Sequence, residues 1–124
     1  MPSSHRDLIV FQKALDLAVA TSKLTARFPP HEKYGLTAQL RRAAASVSAN
    51  IAEGSGKGSV RDYRRHLGIA RGSALETETL LTLAVRLEHV SRVAAAPTFS
   101  LINEISRMLY VLRSRLEAKP AVDK

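Results

Sequence analysis

The stretch NIAEGSGKGS, Asn50 to Ser59, decides how this chain is read. Three glycines, a lysine and two serines stand ahead of a basic segment, which is the composition of a phosphate-binding loop. A Walker A loop reads G-x-x-x-x-G-K-[ST] and joins a strand to a helix. Here Lys57 is followed by Gly58, and the preceding LRRAAASVSANIAE, Leu40 to Glu53, is alanine-rich and helical in pattern. Spacing and context both fail. The stretch reads instead as the turn of a helix hairpin: Gly54 or Gly56 takes a positive φ to close one helix, Gly58 lets the chain reverse, and Ser59 caps the next. Free amides at that N-terminus, beside Lys57, leave weak anion binding open.

Working outward, the apolar residues recur with a helical period throughout, and no strand pattern is present. The first predicted helix runs from about Asp7, with a Ser4-x-x-Asp7 capping box, to Arg27 before Pro29-Pro30. The second runs from about Pro30 to Glu53, with Gly35 loosening its first turn. The third runs from Ser59, capped with Asp62, to about Arg92. The fourth starts near Pro97 and fades before Pro120. Short connections favour antiparallel neighbours, so the expected fold is all-α, an antiparallel up-and-down four-helix bundle. It occupies residues 7–118 as one domain, with flexible tails at 1–6 and 119–124.

One face of the second helix carries Leu36, Leu40, Ala43, Ala44, Val47 and Ile51. The fourth carries Leu101, Ile102, Ile105, Met108, Leu109, Leu112 and Leu116. The first has two apolar stripes: Leu8, Phe11, Leu15, Ala18 and Val19, and, nearly opposite, Val10, Leu17, Leu24 and Phe28. A bundle helix needs only one. The second stripe therefore predicts burial between subunits, ahead of a first helix sunk deep in a monomer.

Composition bounds the function. The chain has 124 residues, 45% apolar and 5% aromatic, with no cysteine. Disulfides and thiolate metal sites are excluded, and a reducing, cytoplasmic setting is expected. Met1 is followed by polar residues, so no signal peptide is expected, and no apolar run reaches the roughly 18 residues of a membrane span. The net charge is +8, which favours polyanionic partners.

Half of that charge sits at 57–71, where Lys57, Arg61, Arg64, Arg65 and Arg71 face a single Asp62. The four arginines fall on one side of the third helix, with Gly68 and Gly72 among them, while Tyr63, Leu67, Ala70 and Ala74 lie on the other side and face the core. Two readings stand. The arginines track a nucleic-acid backbone, with the glycines allowing close approach; or they form a solvated face, or pair with carboxylates of another subunit. Base-stacking aromatics are missing, which argues against a single-strand stacking platform. A second polar set, Arg42, Ser46, Asn50 and Glu53 on the second helix with Ser73 and Glu76 on the third, reads as a structural network fixing helix register. Glu76 lies on a stripe with Ile69, Ser73, Leu80, Leu83 and Leu87, so it is expected to be buried and paired. A catalytic Glu53–Glu76 pair is the lesser alternative. His5, His31, His66 and His89 are dispersed among polar residues and read as surface positions, so no metal set, cofactor or catalytic residue is assigned.

The segments FQKALDLA, FPPHEKYGLTAQLRRAAASVSANIAEGSG, YRRHLGIARGSALETETLL and the final leucine-rich helix together resemble a four-helix-bundle family encoded in 23S rRNA intervening sequences. The accessory variability determinants of diversity-generating retroelements are similar too. The resemblance spans roughly Arg6 to Leu116, with SVSANIAEG and ARGSALETE its specific parts, and departs at Ser48 and Ala49. It implies an antiparallel bundle assembled as a homopentamer, cytosolic and without established catalysis. Its retroelement relatives imply binding to RNA or DNA and to a protein partner such as a reverse transcriptase. The expectation is a non-enzymatic oligomeric bundle that binds nucleic acid by its backbone. The alternative is an adaptor whose basic face docks an acidic protein.

Overall fold

The computed structural model describes residues 8–117, and these form four helices. They are α1 (Ile9–Thr25), α2 (Leu36–Ser55), α3 (Val60–Arg86) and α4 (Arg92–Glu117), with a 3₁₀ turn at Pro30–Glu32. Each helix packs on its neighbours in the order α1–α2–α3–α4, and α4 closes back on α1. Among the described residues the diagonal pairs do not pack, so the arrangement is a square antiparallel bundle. The Ser4–Asp7 capping box and the tails at 1–6 and 119–124 lie outside the described residues.

The core is aliphatic with one aromatic at its centre. Leu17, Leu40, Val47, Ile51, Tyr63, Leu67, Ile102, Ile105 and Leu109 are fully buried. The faces expected for α2 and α4 do turn inward: Leu36 to Ile51 on α2, and Ile102, Ile105, Leu109 and Leu116 on α4. On α1 Val10 and Leu17 enter the core and Leu24 is half-buried, while Phe28, just past the helix, joins the core. In the other stripe Leu8 and Phe11 are half-buried, while Leu15 and Val19 stay exposed at 40% and 54%. Lys13 ties α1 to α4 through Glu104 at 3.1 Å.

Helix ends differ from expectation in three places. At the start of α2, Gly35 separates the 3₁₀ turn from the helix, and Glu32 Oε1 accepts the Leu36 amide at 3.1 Å, capping it from outside. At the end of α2, Gly56 is right-handed at φ −86° and Gly54 is still helical. Gly58 carries the positive φ, at 85°. Gly54 is required for another reason. A Cβ there would stand 2.7 Å from His66 Cβ and 3.2 Å from Tyr63 Cδ1, so the missing side chain sets how closely α2 meets α3. The start of α3 follows the sequence: Ser59 Oγ accepts the Asp62 amide at 3.1 Å.

The third difference is at the α3–α4 junction. α3 stops at Arg86, and the His89 amide donates to Ala84 O while the Glu88 amide donates to Val85 O, both at 3.0 Å. This is a Schellman end with Glu88 in the left-handed region at φ 64°, a place usually taken by glycine. The sequence therefore carries no stop signal there. α4 then begins five residues before Pro97, because Ser91 Oγ accepts the Ala94 amide at 3.0 Å and caps it. Pro97 sits one turn inside, exposed, where its lost hydrogen bond frees a carbonyl that water can reach.

Two glycine substitutions separate packing from propensity. Gly54→Ala should lower stability by about 1–3 kcal/mol in urea unfolding, because overpacking outweighs the helix preference of alanine. Gly72→Ala meets nothing within 4 Å and should gain up to about 1 kcal/mol. A neutral Gly54→Ala would mean that α2 and α3 are not in close contact at that point.

Candidate nucleic-acid interface

The basic residues of the hairpin and α3 divide by what they touch. Lys57 lies 3.8 Å from Glu53. Arg61 and Arg65 are exposed, and an Arg65 guanidinium nitrogen sits 3.2 Å from His66 Nε2. Arg64 and Arg71 are half-buried against α4. Arg113 Nε of α4 donates to the Arg64 carbonyl at 3.2 Å. The Arg71 guanidinium lies 5.5 Å over the Tyr110 ring, a cation–π contact, and among the described residues it makes no ion pair with Glu78.

This contact with α4 adds arginines absent from the candidate set. Arg107 and Arg113 are exposed on α4, and Arg107 joins Arg71, Asn103, Ser106 and Tyr110 around an open cleft of about 530 Å³. Gly68 is explained by the same contact, because a Cβ there would lie 3.3 Å from Arg113 Nε. Its close approach is to an arginine of the same chain. The basic surface thus spans two helices, with Arg61, Arg64, Arg65 and Arg71 on α3 and Arg107 and Arg113 on α4. The sequence contained every one of these residues but did not reveal which side of α4 adjoins α3.

Behind this surface runs a row of polar side chains between α2 and α3. Ser46 and Ser73 share a hydrogen bond at 2.9 Å. Asn50 Nδ2 donates to the Ser46 carbonyl at 2.9 Å and reaches Ser46 Oγ at 3.0 Å. His66 Nδ1 meets Asn50 Oδ1 at 3.2 Å, and Glu53 Oε2 lies 3.9 Å from His66 Nε2. Because Asn50 Oδ1 can only accept, His66 Nδ1 donates to it, and Nε2 faces the Arg65 guanidinium.

Three expectations are corrected here. His66 is 4% exposed and central to the row, where a surface position was expected. Glu76 and Arg42 are exposed and take no part. The cause is the phase of α3. Its inward face is made of small and polar residues, Ala70, Ser73, Ala74, Thr77 and Ala84, with Tyr63, Leu67 and Leu81. The larger aliphatics Ile69, Leu83 and Leu87, which flank Glu76, are 41%, 45% and 49% exposed. Tyr63, Leu67, Ala70 and Ala74 face the core as their spacing predicts, and only the stripe through Glu76 was misplaced, by the aliphatics that flank it.

At the opposite end of the bundle, two more histidines are brought together. His89 Nε2 is 2.9 Å from Glu32 Oε2, and the His89 ring packs on Phe28 with centroids 5.6 Å apart. His31 Nε2 lies 4.0 Å from the same carboxylate oxygen. The Leu36 amide first, and the His89 imidazole second, hold the Glu32 carboxyl below the ordinary carboxylate range. His31 and His89 are 58 residues apart in sequence, so only the fold shows that they share a partner.

An antiparallel four-helix bundle with one basic flank is the class these features define. The chain belongs to the 23S rRNA-intervening sequence protein family, which matches residues 6–111. A crystal structure of a protein of unknown function from the S23 ribosomal protein family of Bacteroides thetaiotaomicron VPI-5482 is similar to it, with 28% identity and a TM-score of 0.76. The likeness covers 85% of this chain and 98% of that one. No curated protein matches the chain. Among the described residues, no helix is long and apolar enough to cross a membrane.

Asn50→Ala should strand the Ser46 and His66 groups it serves and lower stability by about 1–3 kcal/mol in chemical unfolding. Glu76→Ala, outside this hydrogen-bonded row, should cost less than Asn50→Ala. The reverse order would place Glu76, and not His66, in the inter-helix row.

Proposed function

We propose that the protein is a non-enzymatic, oligomeric helical bundle that binds RNA or DNA through its basic flank by backbone contacts. The observation that carries this reading is the convergence of arginines from two helices on one surface, around an open cleft, within a chain of net charge +8. Guanidinium groups bind phosphate oxygens in bidentate geometry, and a row of them follows a backbone without reading sequence. Arg61, Arg65, Arg107 and Arg113 are exposed enough to reach a ligand, while the half-buried Arg71 lines the cleft. A cytoplasmic setting accords with this ligand. A protein partner with an acidic surface, the second reading, would meet the same residues. A reverse transcriptase is the partner that the family resemblance suggests.

Assembly belongs to the same proposal. Leu15 and Val19 of α1, Ala45 and Ala49 of α2, and Ile69, Leu83 and Leu87 of α3 are exposed. At 100° per residue, these positions lie on the outer sides of three consecutive helices. Covering them with other subunits would remove apolar surface from water and leave the α3–α4 flank free. A closed ring, with a pentamer expected from the family resemblance, would repeat the basic flank and add weak contacts through multivalency. Sedimentation at micromolar concentration should show one closed oligomer, and Val19→Glu with Ala49→Glu should yield a helical monomer. A monomeric wild type would defeat this part of the proposal.

Binding is tested by titrating labelled RNA and duplex DNA into wild type and an Arg61→Ala, Arg65→Ala, Arg113→Ala variant at several salt concentrations. The wild type should bind with little sequence preference. For duplex DNA, the slope of log K against log salt should shrink by about 0.9 for each phosphate contact the variant loses. Absence of wild-type binding at low salt would transfer the flank to an acidic protein partner.

A further inference from the structure

We propose that His31, Glu32 and His89 form a binding site for a divalent late first-row metal ion, Zn²⁺ foremost, that staples the α1–α2 connection to the α3–α4 connection. This site lies apart from the basic flank and does not depend on its function. One ligand atom from each residue lies within 4.8 Å of the other two. Two imidazoles and one carboxylate are a donor set that zinc accepts with a fourth position open to water. Ligand atoms at 2.0–2.1 Å from a tetrahedral ion stand about 3.3 Å apart. The distances from Glu32 Oε2 to His89 Nε2 and His31 Nε2, 2.9 and 4.0 Å, bracket that spacing. The side chain of His31 is 73% exposed, so it is free to make the small swing required.

The other two ligands are held in place. Glu32 is anchored by the Leu36 amide on Oε1, which leaves Oε2 directed at both imidazoles. A ligating carboxylate fixed by a second hydrogen bond is the usual outer-shell arrangement of metal sites. His89 is positioned by the Schellman end of α3 and by the Phe28 ring, and its side chain is only 10% exposed. The left-handed Glu88 that turns the chain there is a strained non-glycine position, of the kind retained where the backbone must aim a side chain. Cations nearby do not occupy the carboxylate: Lys33 lies over the Tyr34 ring, and Lys23 and Arg27 line the cleft beyond His89. Among the described residues, Glu32 pairs only with the two histidines.

The test uses the full chain stripped with chelator and titrated with Zn²⁺ by calorimetry and with Co²⁺ by visible absorption. The expected result is one ion per chain and the intense absorption of tetrahedral Co²⁺. At free Zn²⁺ a hundred times Kd, the melting temperature should rise by roughly 10 °C. His31→Ala, at a side chain 73% exposed, should keep the apo melting temperature, lose at least tenfold in affinity and show a smaller thermal shift. His89→Ala should abolish binding; if that variant does not fold, His31→Ala alone decides. Absence of stoichiometric binding would leave these residues a hydrogen-bonded pair with a neighbour and overturn the proposal. So would equal affinity in wild type and His31→Ala.

Discussion

Gly54 brings α2 against α3, and the rest of the bundle's arrangement depends on that close approach. With no Cβ at Gly54, the Cβ of His66 and the ring of Tyr63 move in against the α2 backbone. This draws His66 out of solvent, and a buried imidazole must satisfy both nitrogens. Asn50 and Arg65 do so, and the Asn50 amide in turn engages Ser46, which meets Ser73 one stretch further along α3. Helices faced with alanine and serine have shallow ridges and would slide against each other; the hydrogen-bonded row fixes their register. Once α3 is fixed in rotation, Arg64 and Arg71 must face α4 and Arg61 must face water.

The same rotation gives the molecule two dissimilar sides. Arginines of α3 and α4 share one flank, where Arg113 crosses over Gly68 and Arg71 rests on Tyr110. Leu15 and Val19 of α1, the alanines of α2, and Ile69 and Leu83 of α3 are exposed outside the arginine-lined cleft, whose floor also holds Leu75 and Val111. A flank with clustered charge repels its own kind, and an aliphatic flank gains by being covered. An assembly that buries the second side and displays the first satisfies both, which supports treating oligomerisation and polyanion binding as parts of one design.

Much of the fold was legible because α2 and α4 carry large aliphatics at helical spacing, and because Ser59 with Asp62 makes a cap that sequence can announce. The exclusion of a nucleotide loop at Gly54 to Ser59 rested on the same local chemistry. What escaped was set by tertiary contact. Tyr63, Leu67, Ala70 and Ala74 were legible as the inward face of α3, but much of that face is small and polar, so the larger aliphatics drew Glu76 inside as well. His66 is buried against Gly54 and bonded to Asn50, sixteen residues away, and His31 and His89 meet through the bundle's far end. Glu88 ends α3 in a conformation that its residue type disfavours, and Ser91 starts α4 ahead of a proline that looked like the first residue. In each case the deciding partner is distant in sequence, or the residue acts against its own preference.

Arginine side-chain resonances test the central claim most directly. In protein labelled with ¹⁵N, the Nε–Hε signals of Arg61, Arg65, Arg107 and Arg113 can be followed while single-stranded RNA is added. Arg41, which is bonded to Thr25 Oγ1 at 2.9 Å on the α1 side of α2, is the internal control. Binding through the α3–α4 flank predicts saturable shifts in the first four that reverse with added salt, and a stationary Arg41. Shifts confined to Arg41 and Arg42, or none at low salt, would contradict it.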